Sequence, residues 1–256
     1  MRIRRSRRDE ILQAIAAGEV DVGGLAARFG VSASTIRRDL RDLSQQQPIA
    51  RTYGGAVLLG GGAEQSLRVR AGQNRAAKEA IAQAALGLIR EGETLILDGG
   101  STVEALGRRL AGRRLRVITN NLPLLPVLAN MPGIELIALG GTVRPISMGT
   151  TGPLAEAMLR HLTADRLFTS ADGLAPDRGL CEATLEQISL KALMMRQARE
   201  VFVLADASKL DRAEQPFWAP LPPGATLVTD APAAACAAYA RGGLGLRIAP
   251  PLPAES

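Results

Sequence analysis

In the stretch Val31-Ser-Ala-Ser-Thr-Ile-Arg-Arg-Asp-Leu-Arg-Asp-Leu43, a serine precedes a run whose apolar and charged residues separate at helical spacing. Ser32 can cap a helix that places Ile36, Leu40 and Leu43 on one side and Ser34, Arg38, Arg41 and Gln45 on the other. Upstream, residues 25–29 read as a short helix with Leu25, Ala26 and Phe29 inward, and Gly30 lets the chain reverse. A short helix, a glycine turn and a capped helix with projecting arginines form the pattern of a DNA-binding helix-turn-helix. An arginine fork can read a guanine edge or clamp a phosphate, and hydroxyls reach both. Ser34 and Arg38 project most directly, with Arg41 on the same face, while Thr35 and Arg37 flank them at positions suited to phosphate. Asp39 and Asp42 are expected to hold neighbouring arginines. The competing reading is a surface helix that is merely Arg-rich, and the helix and glycine turn before it weigh against that.

Working outward, residues 7–17 are expected to form a first helix with Ile11, Leu12 and Ile15 inward and Gly18 as terminator. Arg4, Arg5, Arg7 and Arg8 stand at its start, where positive charge opposes the helix dipole. A nearby phosphate backbone would explain them, and so would a solvated tail. Asp21 can cap the second helix. Residues 49–57 alternate about Gly54-Gly55 and predict a hairpin, or wing, whose Arg51 can lie along a phosphate or minor groove. Residues 3–58 are thus expected to be one DNA-binding module.

The rest of the composition bounds the class. The chain has 256 residues and a formal charge of +6. Ten arginines against six acidic residues in 1–51 place +4 of that charge in the first module. Only Lys78, Lys191 and Lys209 are lysines, so each carries more information than any one arginine. A single His161 and two cysteines without metal spacing, Cys181 and Cys236, argue against a metal centre and for reduced thiols. No apolar run approaches the roughly 18 residues of a membrane span. A soluble, cytoplasmic protein without cofactor or metal is expected.

Gly60-Gly-Gly-Ala63 and the basic stretch after it predict a linker over 59–75. From 76 to 242 short apolar segments alternate with helical ones: strands at 94–97, 115–119, 135–139, 166–170, 201–204 and 225–229, helices at 76–88, 122–129, 183–196 and 233–240. This predicts a mostly parallel α/β domain with helices on both faces, which binds ligands beyond the carboxyl ends of its strands. The candidate loops follow strands: Asp98-Gly-Gly-Ser-Thr102, Thr119-Asn120-Asn121, Gly140-Gly141 and Asp206-Ala-Ser-Lys209. Together they suit a small anion, with backbone amides and hydroxyls at a helix start. No dinucleotide fingerprint or P-loop is present, which favours a small phosphorylated metabolite. Residues 243–256, Pro-rich at the end, are expected to fray.

The run Val20-Asp-Val-Gly-Gly-Leu-Ala-Ala-Arg-Phe-Gly-Val-Ser-Ala-Ser-Thr-Ile-Arg-Arg-Asp-Leu40, with Arg51 and Gly54-Gly-Ala56, closely resembles the DeoR family of bacterial transcriptional regulators. The resemblance continues through Asn74, Lys78, Leu97-Asp-Gly-Gly-Ser-Thr102, Thr119-Asn120, Leu139-Gly-Gly141, Asp172-Gly173, Glu186, Lys191 and Leu204-Ala-Asp-Ala-Ser-Lys209. It departs at Gln45-Gln-Gln-Pro48, where the family typically has Gly, and at Gly99-Gly-Ser-Thr102 and Gly179-Leu-Cys-Glu182, the last adding Cys181 and an extra carboxylate near the expected pocket. The resemblance implies a small winged helix-turn-helix joined to a sensor domain similar in fold to sugar-phosphate isomerases, answering to phosphorylated sugars or related intermediates. The residues then expected on the effector are Asp98, Gly100, Ser101, Thr102, Asn120, Gly141 and Lys209, with Lys191, which reads equally as a solvated helix residue.

The expected function is a regulator, a repressor of a carbohydrate or related catabolic operon, binding double-stranded operator DNA as a homodimer or homotetramer and released by a phosphorylated sugar. The alternative is an isomerase-like enzyme with an accessory DNA module, using Asp98, Asp172 and Glu182 as acid and base groups.

Overall fold

Capping and burial account for the helices at the amino-terminal end. The computed structural model describes residues 10–11, 22–44, 49–52, 55–58, 64 and 66–252, and the chain divides into two compact units, Met1–Glu64 and Gln65–Ser256. In the first, α1 (Val22–Phe29) and α2 (Ala33–Ser44) are joined through Gly30, whose φ of 60° is the left-handed conformation a glycine adopts without strain. The amide of Val31 donates to Ala26 O and that of Gly30 to Ala27 O, closing the end of α1. Ser32 caps α2 through a hydrogen bond from the Thr35 amide to its Oγ at 3.2 Å. Ile11, Leu25, Ile36 and Leu40 are buried together with Asp39, which therefore points inward instead of along the exposed face. Strands β1 (Ile49–Thr52) and β2 (Gly55–Leu58) pair antiparallel, with Thr52 opposite Gly55, as a wing requires. Of the expected first helix only Glu10 and Ile11 are described, both helical. The Asp21 cap, Gly54 and the 60–63 glycine run lie outside the described residues.

The second unit opens with α3 (Leu67–Gly72), inside the span expected to be linker. Ser66 caps it, Leu67 is buried, and the Leu67 amide donates to Ile146 O at 2.7 Å. A six-residue helix is too short to persist on local propensity alone. Tertiary contacts hold it.

Then follow α4 (Arg75–Leu86), β3 (Thr94–Leu97), α5 (Ser101–Gly107), β4 (Leu115–Thr119), a 3₁₀ turn at Leu122–Leu124, α6 (Leu125–Leu128) and β5 (Ile134–Ala138). A hairpin of β6 (Thr142–Arg144) and β7 (Gly149–Thr151) leads to α7 (Pro153–Leu159) and β8 (Ala164–Thr169). The chain continues through β9 (Gly173–Ala175), β10 (Gly179–Glu182), α8 (Leu185–Gln197), β11 (Ala198–Leu204), β12 (Phe217–Ala219), β13 (Thr226–Thr229), α9 (Ala237–Arg241) and β14 (Gly245–Ile248).

Seven strands form one parallel sheet in the order β14-β13-β11-β8-β3-β4-β5. Alternate residues of β3 feed two cores: Leu95 and Leu97 pack with Ile81, Val103 and Leu106, and Ile96 with Leu159, Leu193 and Met194. Both faces of the sheet are therefore covered, as all-parallel sheets require. Two small antiparallel sheets, β6-β7 and β12-β10-β9, are separate from it in strand pairing.

The expected frayed tail needs correction at its start. β14 pairs with β13 from Thr226↔Gly245 to Thr229↔Ile248, and Ala249, also buried, donates its amide to Thr229 O at 2.7 Å. Backbone pairing with an otherwise open edge fixes a segment whose composition alone reads as loose. Among the described residues no helix is long and apolar enough to cross a membrane, and no group of side chains is arranged to hold a metal ion.

Candidate functional site

Strand order locates the cleft. From β3 the chain moves to β4 and β5, then returns to the other side of β3 as β8. The loops after β3 and β8 diverge at this reversal, and ligands of open α/β sheets bind in the crevice so formed. Here a cleft lies at those ends, lined by Asp98, Gly99 and Gly100 after β3 and Ser170 after β8. Asn120 follows β4; Ser147, Gly149 and Thr151 come from the β6–β7 hairpin. Glu182, Gln187, Leu190 and Lys191 come from β10 and α8, and Arg70 from α3.

At its floor one ammonium is surrounded by acceptors. Lys191 Nζ donates to Asp98 Oδ2 and to Ser170 O (2.7 Å), and lies 3.2 Å from Glu182 Oε1. Burial by itself would push this lysine down, but Asp98 and then Glu182 more than offset it and hold the ammonium above the ordinary lysine value. Asp98 is further fixed by the Gly99 amide (2.6 Å) and Thr169 Oγ1 (2.6 Å), and Glu182 by Gln187 Nε2 (3.0 Å). The reading of Lys191 as a solvated helix residue is thus overturned: α8 turns it into the core.

Gly100 has a φ of 124°, and a Cβ there would stand 2.3 Å from Ser170 Oγ, so the loop accepts only glycine without rearrangement. Asn121 Nδ2 braces the same loop by donating to the carbonyls of Asp98 and Gly100, each at 3.3 Å. Asn120 donates through Nδ2 to Thr150 O at 3.1 Å, while its buried Oδ1 has no hydrogen-bond partner among the described residues. A buried acceptor left so is costly unless something donates to it. In this cleft a ligand hydroxyl can.

Behind Arg70 lies a second charged group. Arg70 Nη1 donates to Asp172 Oδ1 at 3.2 Å. Lys209 sits close to Asp172, Arg70, Arg212 and Asp206; burial holds it below the ordinary lysine value, with Asp172 opposing and the arginines reinforcing that shift. Lys78, lowered chiefly by burial, donates to Gln73 O at 2.9 Å and to Arg70 O, closing α3. Asn74, at a φ of 50°, donates to Asp206 Oδ1 (3.0 Å) and Ser208 Oγ (3.1 Å).

Of the effector residues expected from the sequence, Asp98, Gly100, Asn120 and Lys191 meet at the cleft. Ser101, Thr102, Gly141 and Lys209 are not among its lining residues. Thr102 is buried in α5, and at Gly141 a Cβ would lie 2.5 Å from Thr151 O, so close backbone packing accounts for that glycine. Sequence reasoning missed Arg70, Ser170 and Gln187. The spacing of Arg70, Asn74 and Lys78, four apart each time, held a signal, since the three serve one junction.

In the amino-terminal unit Ser34 and Arg38 are exposed and Thr35 half-buried, opposite buried Ile36 and Leu40. The Ser34 and Thr35 hydroxyls lie 2.8 and 2.9 Å from Ser32 Oγ. Arg51 stands in β1 opposite Ala56. The side chains of Arg37, Arg41 and Arg51 lie outside the described residues.

Comparison with known proteins agrees with this division. The DeoR-like helix-turn-helix domain matches residues 7–60 and the DeoR C terminal sensor domain residues 73–231. The transcriptional repressor AccR of Agrobacterium fabrum is 34% identical over 212 residues, covering 82% of each chain. The HTH-type transcriptional repressor CsqR of Escherichia coli is 34% identical over 205 residues, covering 79% of this chain and 78% of its own. Among solved structures, ribose 5-phosphate isomerase A of Methanocaldococcus jannaschii is similar with a TM-score of 0.40 and 20% identity, over 54% of this chain and 55% of that one. With both domain matches in order along one chain, this protein belongs to the DeoR family of helix-turn-helix transcriptional regulators.

Proposed function

We propose that this chain represses an operon of carbohydrate or related catabolism and leaves its operator when a phosphorylated sugar or similar metabolite enters the cleft between β3 and β8. The observation that carries the reading is a cleft rich in fixed polar groups, lined by Asn120 whose buried Oδ1 has no hydrogen-bond partner among the described residues, within a chain that also presents Ser34 and Arg38 on a capped helix. A polyol can donate to Asn120 Oδ1 and to the carboxylate oxygens of Asp98 and Glu182. Ser101 and Thr102 open α5 directly after the loop that holds Asp98.

Two copies on a palindromic operator double the few base and phosphate contacts one helix can make, which argues for a homodimer or homotetramer. A ligand preferring the arrangement that does not fit DNA would shift the population away from the operator. An isomerase reading would need Asp98 and Glu182 to exchange protons with a substrate, yet both are tied to Lys191, and the relatives are named as repressors.

The test is thermal denaturation of the full chain with fructose 6-phosphate, ribose 5-phosphate and glycerol 3-phosphate, each beside its unphosphorylated counterpart. A ligand at one hundred times its Kd adds about 2.7 kcal/mol of stability. At least one phosphorylated compound should raise the midpoint and release DNA selected by the protein from random duplexes. No shift with any of them would sink the reading.

A further inference from the structure

Exposed apolar side chains gather on one part of the sensor. Among the described residues seven large ones are exposed, and six of them, Val69, Val143, Met148, Leu154, Met158 and Leu185, come from α3, the β6–β7 hairpin, α7 and the start of α8. These elements adjoin one another. The Leu67 amide of α3 donates to Ile146 O in the hairpin turn at 2.7 Å, the Gly140 amide just before β6 lies 3.3 Å from Met158 Sδ of α7, and Ser189 Oγ of α8 donates to Glu156 Oε1 of α7 at 2.7 Å. Ser189 stands one turn after Leu185. Single apolar side chains scattered over a surface need no explanation, whereas a strip of them on neighbouring elements marks an interaction site.

The strip borders the cleft. Val69 precedes Arg70, Met148 stands between Ser147 and Gly149, and α8, which Leu185 begins, supplies Gln187, Leu190 and Lys191 to the lining. One strand of the strip is also unfinished, for β6 pairs with β7 and with no other strand among the described residues. Thr150 of β7 donates its amide to Asn120 O at 3.0 Å, away from β6, so Val143 opposite it turns its own amide and carbonyl to the open side. An open edge is a template for another strand.

The occupant these features fit is a second copy of the chain. A two-fold pair presents the same patch from both sides, so an apolar strip and an open edge each find a match in themselves. The flanking charges agree: exposed Arg68 adjoins Val69 and exposed Glu186 adjoins Leu185, so ends of opposite sign can meet across a two-fold axis. The area agrees as well. Six such side chains, open by 39–70%, supply apolar surface on the scale of the about 500 Å² that forms the apolar share of a standard interface of about 800 Å² per partner.

We propose that a second copy docks on this strip, across the mouth of the cleft, and that filling the cleft changes the strength of the pairing. The docking surface stands on the strip alone, and only its response to ligand rests on the phosphorylated-sugar reading. A contact that answers to the cleft gives the ligand a hold on how two copies meet.

Sedimentation of the full chain over a wide range of concentration tests the docking. Leu154→Glu and Val143→Glu place a charge on the strip from two different elements, and Leu154 stands in the first turn of α7, where a carboxylate suits the helix dipole. Each change occurs twice in a two-fold pair, so each should weaken association about a hundredfold, roughly tenfold per copy. Leu252→Glu, exposed but off the strip, should sediment as the parent does. Diluted until the parent also dissociates, all three variants should melt with it, which separates lost docking from lost folding. A parent that stays monomeric, strip variants that associate as tightly as the parent, or equal weakening by Leu252→Glu would overturn the docking and leave the strip to some other partner. The phosphorylated probe that raises the parent's thermal midpoint should change its dissociation constant by about fivefold or more, and an unchanged constant would overturn the link to the cleft. Should no probe stabilise the parent, the cleft reading falls, and sedimentation still decides the docking.

Discussion

At Lys191 two opposing effects meet, and their balance explains why a lysine can sit in the core of the sensor. Burial disfavours the ammonium, while Asp98 and Glu182 close by favour it more strongly. Removing the cation strands two buried carboxylates. Breaking a buried pair in this way typically costs about 3–5 kcal/mol, so Lys191→Met should lower the urea midpoint of the sensor unit by a corresponding amount. The pH dependence has a definite sign. A lysine whose folded pKa lies above its ordinary 10.5 contributes stability that is fully present below that value and lost as pH rises through the folded value. The gap between parent and variant should accordingly stay constant across neutral pH and narrow only in strong alkali. Lys78 and Lys209, both lowered, act oppositely: their cost is present at neutral pH and relieved as pH rises toward the ordinary lysine value. A gap that closed already near neutrality would show that the carboxylates do not hold Lys191 in the folded state.

Among the elements, β14 makes the sharpest test of how the sheet is finished. Leu246 and Ile248 pack partly against the core, and the strand covers the free edge of β13. A chain ending at residue 243 should lose about 2–4 kcal/mol of sensor stability, the scale of two partly buried aliphatic side chains and their backbone pairing. A chain ending at residue 252 should melt as the parent does, and equal midpoints for both truncations would refute the strand's contribution. Leu244, Leu246 and Ile248 alternate with Gly245 and Arg247, a strand signal that the proline-rich residues after it obscured. The inner strands were legible because, buried on both faces, segments such as 94–97 and 115–119 read as apolar runs. Three-residue pieces such as β9 are positioned by distant backbone, as at Gly173, where a Cβ would meet Arg212 O at 2.1 Å, and no local pattern announces that. The site divides likewise. Asp98, Gly100 and Asn120 were readable because they directly follow strands. Arg70 and Gln187 reach the cleft from remote helices, and whether Lys191 faces inward depends on how α8 is rotated against the sheet.

For the whole molecule, the division at Glu64 separates a reader from a sensor, and the positive charge is densest in the smaller of the two. The reader carries +3 of the formal +6 in its 64 residues, and such charge supplies affinity for any duplex, whereas base contacts supply discrimination. Arg38 is exposed on the face of α2 opposite Ile36 and Leu40, next to Ser34, at the centre of the surface that would enter a major groove. A bidentate arginine–guanine contact is worth about 1–3 kcal/mol of discrimination. Arg38→Ala in the full chain should therefore weaken binding to the selected operator by that much per half-site, with a much smaller change on random duplex of the same length. Fluorescence anisotropy at two salt concentrations can separate this from phosphate contact, which would weaken both duplexes alike and reduce the salt slope by about one. Because Arg38 and the cleft belong to different units, the thermal shift produced by a phosphorylated probe should be the same in Arg38→Ala as in the parent. Equal losses on operator and random duplex would move Arg38 from reading bases to holding the backbone, and leave discrimination to Ser34 and to the arginines flanking it.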